Sequence, residues 1–105
     1  MIGEMRERVT LQSPLRAGDG AGGSVVTWTE VATVWAKVEM PGGGEALVAE
    51  RLEAQARLRF TIRYRSDVTT EMRASWRGRA FNIRALRDKD GRRRFLIIDC
   101  EEERP

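Results

Sequence analysis

The side chains best placed to do chemistry in this sequence are carboxylates: Asp88 with Asp90, and the run Glu101-Glu102-Glu103. Paired acids can hold a magnesium ion or divide acid and base duties between them. Here the first pair brackets a turn and the second lies at the C-terminal end, so both read as solvated groups. Histidine, the side chain best suited to proton transfer near neutrality, is absent. With no His and one Cys, Cys100, the chain cannot by itself build a Cys/His zinc site or an internal disulfide. Cys100 reads as a buried thiol. No catalytic group, metal or cofactor is expected.

Two further patterns invite a chemical reading. Gly18 and Gly23 have the separation of the two glycines in a phosphate-binding loop, and Ser24 follows. That motif needs Lys after the second glycine and then a helix, whereas Ser24 leads into a strand-like segment. The segment containing Gly18, Asp19 and Gly20 is therefore a flexible loop. The second pattern is Arg57, Arg59, Arg63 and Arg65, four guanidinium groups on one face of a predicted strand. They suit an outer solvated face, a subunit or partner interface, or nucleic-acid phosphates, in that order.

Charge is distributed unevenly. The formal net charge is +3, with 19 basic and 16 acidic residues, and the excess of positive charge falls between Arg57 and Cys100. Such a field fits nucleic acid, an acidic partner, or subunits that match basic faces to acidic ones. Nearly all the basic residues are Arg, which favours bidentate contacts but is equally what a GC-rich genome encodes. The N-terminus alternates charge without the apolar stretch of a signal peptide, and no apolar run approaches the ~20 residues that span a bilayer. A soluble cytoplasmic protein without a membrane partner is the expectation.

The elements that must position these residues are mostly strands. Val9 and Leu11 alternate with polar neighbours between Arg6 and Gln12, and Ser24 to Met40 is dense in Val, Thr and Trp. Leu58, Phe60, Ile62 and Tyr64 alternate with Arg and Thr from Arg57 to Arg65, the clearest strand in the chain. Met72, Ala74 and Trp76 repeat the alternation, Arg77-Gly78-Arg79 turns, and Phe81, Ile83 and Ala85 return as a hairpin. Asp88-Lys89-Asp90-Gly91 is a second turn, leading into Phe95-Leu96-Ile97-Ile98. Pro41-Gly42-Gly43-Gly44 stops the Ser24–Met40 strand, and the Ala-, Glu- and Leu-rich stretch Glu45 to Ala56 predicts a short helix. The expected fold is mainly β: one domain over residues 1–105, a small barrel of six to seven antiparallel strands with one short helix and extended Gly-rich loops.

With those residues in view, the chain resembles the phage head-tail joining family, the head-completion or stopper proteins found in tailed phages, prophages and gene transfer agents. The resemblance lies in Met5-Arg6-Glu7-Arg8-Val9-Thr10-Leu11-Gln12, the Gly-rich loop before Trp28, Thr33-Val34-Trp35-Ala36-Lys37-Val38, and Gln55 ahead of the basic strand. It continues in Phe60-Thr61-Ile62-Arg63-Tyr64-Arg65, Gly78-Arg79-Ala80-Phe81-Asn82-Ile83 and Leu96-Ile97-Ile98-Asp99-Cys100-Glu101. It implies a non-enzymatic virion protein, made in the host cytoplasm, that forms a homo-oligomeric ring in the head-tail connector. Portal and adaptor proteins would lie on its head side and tail-completion or tail-tube proteins on its tail side. Packaged DNA would pass through without sequence-specific binding. Candidate loops for the channel or a partner are Gly18-Asp19-Gly20 and Pro41-Gly42-Gly43-Gly44-Glu45. The alternative from another class is a free oligonucleotide-binding β-barrel, suggested by the basic half and three tryptophans.

Overall fold

The computed structural model describes residues 5–18, 20, 22–40 and 57–103. Six strands fill most of that length: β1 (Glu7–Gly18), β2 (Ser24–Glu39), β3 (Arg57–Arg63), β4 (Arg73–Trp76), β5 (Arg79–Asp88) and β6 (Phe95–Glu102). Every pairing is antiparallel, and the order β1-β2-β3-β6-β5-β4 closes on itself because β1 also pairs with β4. There is no helix among the described residues. The expected helix at Glu45 to Ala56 and the loop Pro41-Gly42-Gly43-Gly44-Glu45 lie outside them, as does Asp19.

The two-residue rhythm of β3 decides where the core sits. Leu58, Phe60 and Ile62 point inward and are buried beside Val9, Leu11, Ala74, Phe81, Ile83, Leu96, Ile98 and Cys100. Phe60, Trp76 and Phe81 meet ring to ring, with centroids 6.1–6.2 Å apart, in the edge and tilted arrangements that aromatic quadrupoles favour. Val68 and Met72, in the connection from β3 to β4, join the same cluster. Fully burying side chains of this size stabilises the fold by about 1.5–3 kcal/mol each.

Turns are set by backbone geometry. Arg77 and Gly78 both have positive φ, +51° and +76°, which gives the β4–β5 hairpin its two-residue primed turn. Gly91 takes +74° and Arg93 +55° between β5 and β6. In that turn one Asp88 carboxylate oxygen accepts the Arg93 N–H and Asp90 accepts the Arg92 N–H, so this acid pair shapes the loop.

Several sequence expectations need correction. Simple alternation puts Ala85 on the inward face with Phe81 and Ile83, but it is exposed, and Leu86 packs on the core instead. Arg84 is an extra residue between the pairs Ile83↔Cys100 and Ala85↔Asp99, and this bulge flips every side chain after it. β3 ends at Arg63, so Arg65 falls beyond the strand. β1 runs six residues past Gln12 to Gly18, although Ser13-Pro14-Leu15-Arg16-Ala17-Gly18 has no strand-like pattern. It is held extended by pairing with β2, and Pro14 is tolerated on a strand edge that no described residue pairs with on its other side.

Candidate interaction surface

The outer half of the β1–β2 hairpin leaves the closed sheet. β1 loses its second neighbour after Gln12, which pairs with Arg73 of β4, and β2 meets β3 only from Lys37 to Glu39. Among the described residues, Ser13–Gly18 and Ser24–Thr29 pair only with each other and form a two-stranded arm. Its root is marked by a register shift: Leu11 faces Ala32 and Gln12 faces Glu30, leaving Val31 as the extra residue. Such a bulge increases the local twist and turns the hairpin away from the body. Gly20 and Gly22, at +83° and +88°, lie between the two strands at the arm's tip, next to Gly18.

The arm carries apolar side chains into solvent. Leu15 is 57% exposed and Val25 51%, with Val26 and Val31 also exposed. Isolated two-stranded ribbons are marginal in water, and large apolar side chains this exposed on one are usually covered by something. The arm is anchored at its base by Arg73. The Arg73 Nε donates to Gln12 Oε1 at 2.7 Å and its Nη1 to Glu103 Oε2 at 2.9 Å, and its guanidinium lies 4.3 Å from the centre of the Trp28 ring. One side chain therefore ties the arm, β4 and the end of β6 together.

The predicted arginine stripe is divided by the fold. Arg59 donates to Asp99 on β6 at 2.8 Å, and Arg65 grips Asp67 through Nε and Nη2. Arg57 and Arg63 point outward from opposite ends of β3 and form no ion pair with a described residue. The acidic run is likewise occupied. Glu102 accepts two hydrogen bonds from Arg79, Glu103 pairs with Arg73, and Glu101 lies 3.8 Å from Arg84. In the sequence these three carboxylates look like a solvated terminus, because a cross-strand partner appears only once register is known. Thr61 and Ile97, cross-strand partners on the outer side of the sheet, are buried too.

These pairs shift the acids in one direction. Glu7 is held below its ordinary 4.5 by the Trp76 indole N–H and then by Arg77, and Glu102 by the Arg79 guanidinium. Asp67 and Asp90 are held below their ordinary 3.8 by Arg65 and Arg94. A carboxylate depressed in the folded state binds fewer protons there than in the unfolded chain. Its stabilisation is complete above the ordinary value and fades as pH falls through the depressed one. Melting temperature should accordingly stay level down to about pH 5 and decline from there toward about pH 2. Thermal melts followed by circular dichroism across that range test this, and a rise in melting temperature on acidification would contradict it.

Each tryptophan has a guanidinium on its face: Arg73 on Trp28, Arg8 on Trp35 at 4.8 Å, and Arg77 on Trp76 at 4.7 Å. Cys100, in contrast, is a closed site. Its Sγ donates to the Leu58 carbonyl at 3.4 Å, and burial pushes its thiol up to about 12. No group of three or more Cys, Asp or Glu is arranged to hold a metal among the described residues. An open groove of ≈ 670 Å³ runs past Val34, Trp35, Arg63, Tyr64 and Arg65.

Fold and surface together define a small antiparallel β protein whose most prominent feature is a protruding, partly apolar arm. The chain belongs to the phage head completion protein family, whose model matches residues 1–103. Among solved structures it is similar to protein SF1141 from Shigella flexneri 2a, at 33% identity over 96% of this chain and 95% of that one, with a TM-score of 0.72. It is also similar to a chain in the virion of a native gene transfer agent particle, at 25% identity over 93% and 94% of the two chains, with a TM-score of 0.67. No curated protein matches it.

Proposed function

We propose that this chain is a non-enzymatic connector subunit, one of several copies in a ring between a DNA-filled head and its tail. Family membership and the likeness to a chain of a gene transfer agent virion support a structural role at that junction. The observation that carries the finer reading is the arm. Leu15, Val25 and Val26 stand in solvent on a ribbon, with Val31 exposed at its root, and among the described residues the ribbon pairs only within itself, a poor arrangement for a solitary subunit and a suitable one for a subunit that lies against neighbours. In that ring, portal and adaptor proteins would contact one side and tail proteins the other. The glycine-rich segments at Gly18 to Gly23 and Pro41 to Glu45 would be the parts that reach toward the channel.

The rival reading, a free oligonucleotide-binding barrel, needs tryptophans open for base stacking. Trp76 is packed on the core, Trp28 is half-buried under Arg73, and Trp35 alone of the three is exposed, with Arg8 over one face, so no row of open rings is presented. A test is removal of the gene from a producing strain. Filled heads that lose their DNA and carry no tails are the expected product. Normal tailed particles, or wild-type particles in which mass spectrometry finds none of this chain, would refute the connector role.

A further inference from the structure

Positive charge is concentrated at one end of the sheet. β3 ends where β6 begins, Arg63 pairing with Phe95, and β5 meets β6 there through Arg87↔Ile97 and Asp88↔Leu96. The Tyr64 N–H donates to the Arg94 carbonyl at 3.0 Å, which brings the β5–β6 turn against the end of β3. Ile62 and Leu86 face the core, so Arg63 and Arg87 face outward on strands flanking β6. Two interstrand spacings and a two-residue offset along the strands set them about 12 Å apart. Arg92 and Arg93 extend from the turn between them.

These four arginines are gathered at one end of the sheet and, unlike most of those at the other end, have no carboxylate partner among the described residues. Arg59, Arg73, Arg77, Arg79 and Arg84 all pair with carboxylates toward the other end of the sheet. Arg63, Arg87, Arg92 and Arg93 are exposed and form no ion pair with a described residue. The two acids in the turn are engaged, Asp88 by the Arg93 N–H and Asp90 by Arg94 and the Arg92 N–H. Five cations against two carboxylates from Arg87 to Arg94 leave the turn positive.

We propose that this pole, Arg63, Arg87, Arg92 and Arg93, grips the phosphate backbone of duplex DNA. Among the described residues, the exposed large apolar side chains lie on β1, β2 and Met40, and the outer rows of β3, β5 and β6 show at most the half-buried Phe95. A protein interface would be expected to bring an apolar or aromatic centre, whereas a phosphate-binding surface needs only guanidinium groups on a rigid frame. Phe95, the outward ring beside Arg63, is half-buried, and Trp35, which lines the same groove as Arg63, has Arg8 over its face, so contact is assigned to the backbone and is independent of sequence. The inference rests on the connector reading for the source of the DNA, but its test does not.

The test measures binding of a fluorescent mixed-sequence duplex to the full chain at several salt concentrations. Wild type should bind weakly, and log affinity should fall linearly with log salt. R92Q/R93Q should lower that slope by about 2, roughly 1 for each phosphate no longer neutralised. R16Q/R57Q removes the same charge elsewhere and should leave the slope unchanged. Circular dichroism checks that both variants stay folded, and R63Q/R87Q, whose positions lie on strands, provides a second pair should the turn variant unfold. Absence of duplex binding, an equal weakening in the control variant, or equally potent competition by poly-glutamate would each overturn the assignment. The connector role stands or falls separately, on the composition of particles.

Discussion

Phe60→Ala is expected to unfold most of the population, or to lower the melting temperature by roughly 12 °C or more. Phe60 is fully buried, and its ring is in edge contact with both Trp76 and Phe81. Truncating such a residue costs about 3–5 kcal/mol, because the cavity left behind collapses only in part. A domain this small holds a net stability of about 5–15 kcal/mol, so the lost fraction is large. Urea denaturation followed by circular dichroism gives the number. Phe95→Ala, on the half-buried outer side of β6, should cost much less. A loss under about 1 kcal/mol for Phe60→Ala would mean that the core is centred elsewhere.

The second large effect concerns assembly and leaves folding alone. Replacing Leu15–Thr27 by Asn-Gly joins the paired residues Pro14 and Trp28 through a two-residue turn and keeps the Trp28–Arg73 contact. None of the removed residues belongs to the buried cluster. The shortened chain should melt within a few degrees of wild type. Complementation of a strain lacking the gene should nevertheless fail, with particle yield reduced on the order of tenfold or more, the size expected when even one contact per subunit is weakened tenfold. Full complementation would show that the arm is dispensable and remove the main support for the connector surface. If the chain unfolds instead, Leu15→Ser with Val25→Ser tests the same apolar contact without altering the backbone.

The sequence alone makes most of the strands readable. Leu58, Phe60 and Ile62 alternate so regularly with polar neighbours that β3 and its inward face follow directly, and the turns at Gly78 and Gly91 follow from their glycines. What stays hidden depends on residues far apart in the chain. The outer half of β1 has no period of its own and is extended only because β2 pairs with it. The Arg84 bulge is invisible to a two-residue rule, which therefore puts Ala85 where Leu86 belongs. Arg59 and Arg65 look like free members of a stripe because Asp99 lies 40 residues from the first, and nothing in the sequence marks Asp67 as gripping the second. The loops at Gly18 and Pro41 are marked by composition, but only the first falls among described residues, at the tip of the arm.

The strand order has a consequence for how the protein is made. β6 sits between β3 and β5, so β3 has no partner on that side until residues beyond Phe95 have been synthesised. β6 is also the last of the six strands in chain order, so the sheet cannot close until that strand is free to pair. Until then Leu58, Phe60 and Ile62 belong to a strand with an open edge, available to any other unfinished copy nearby.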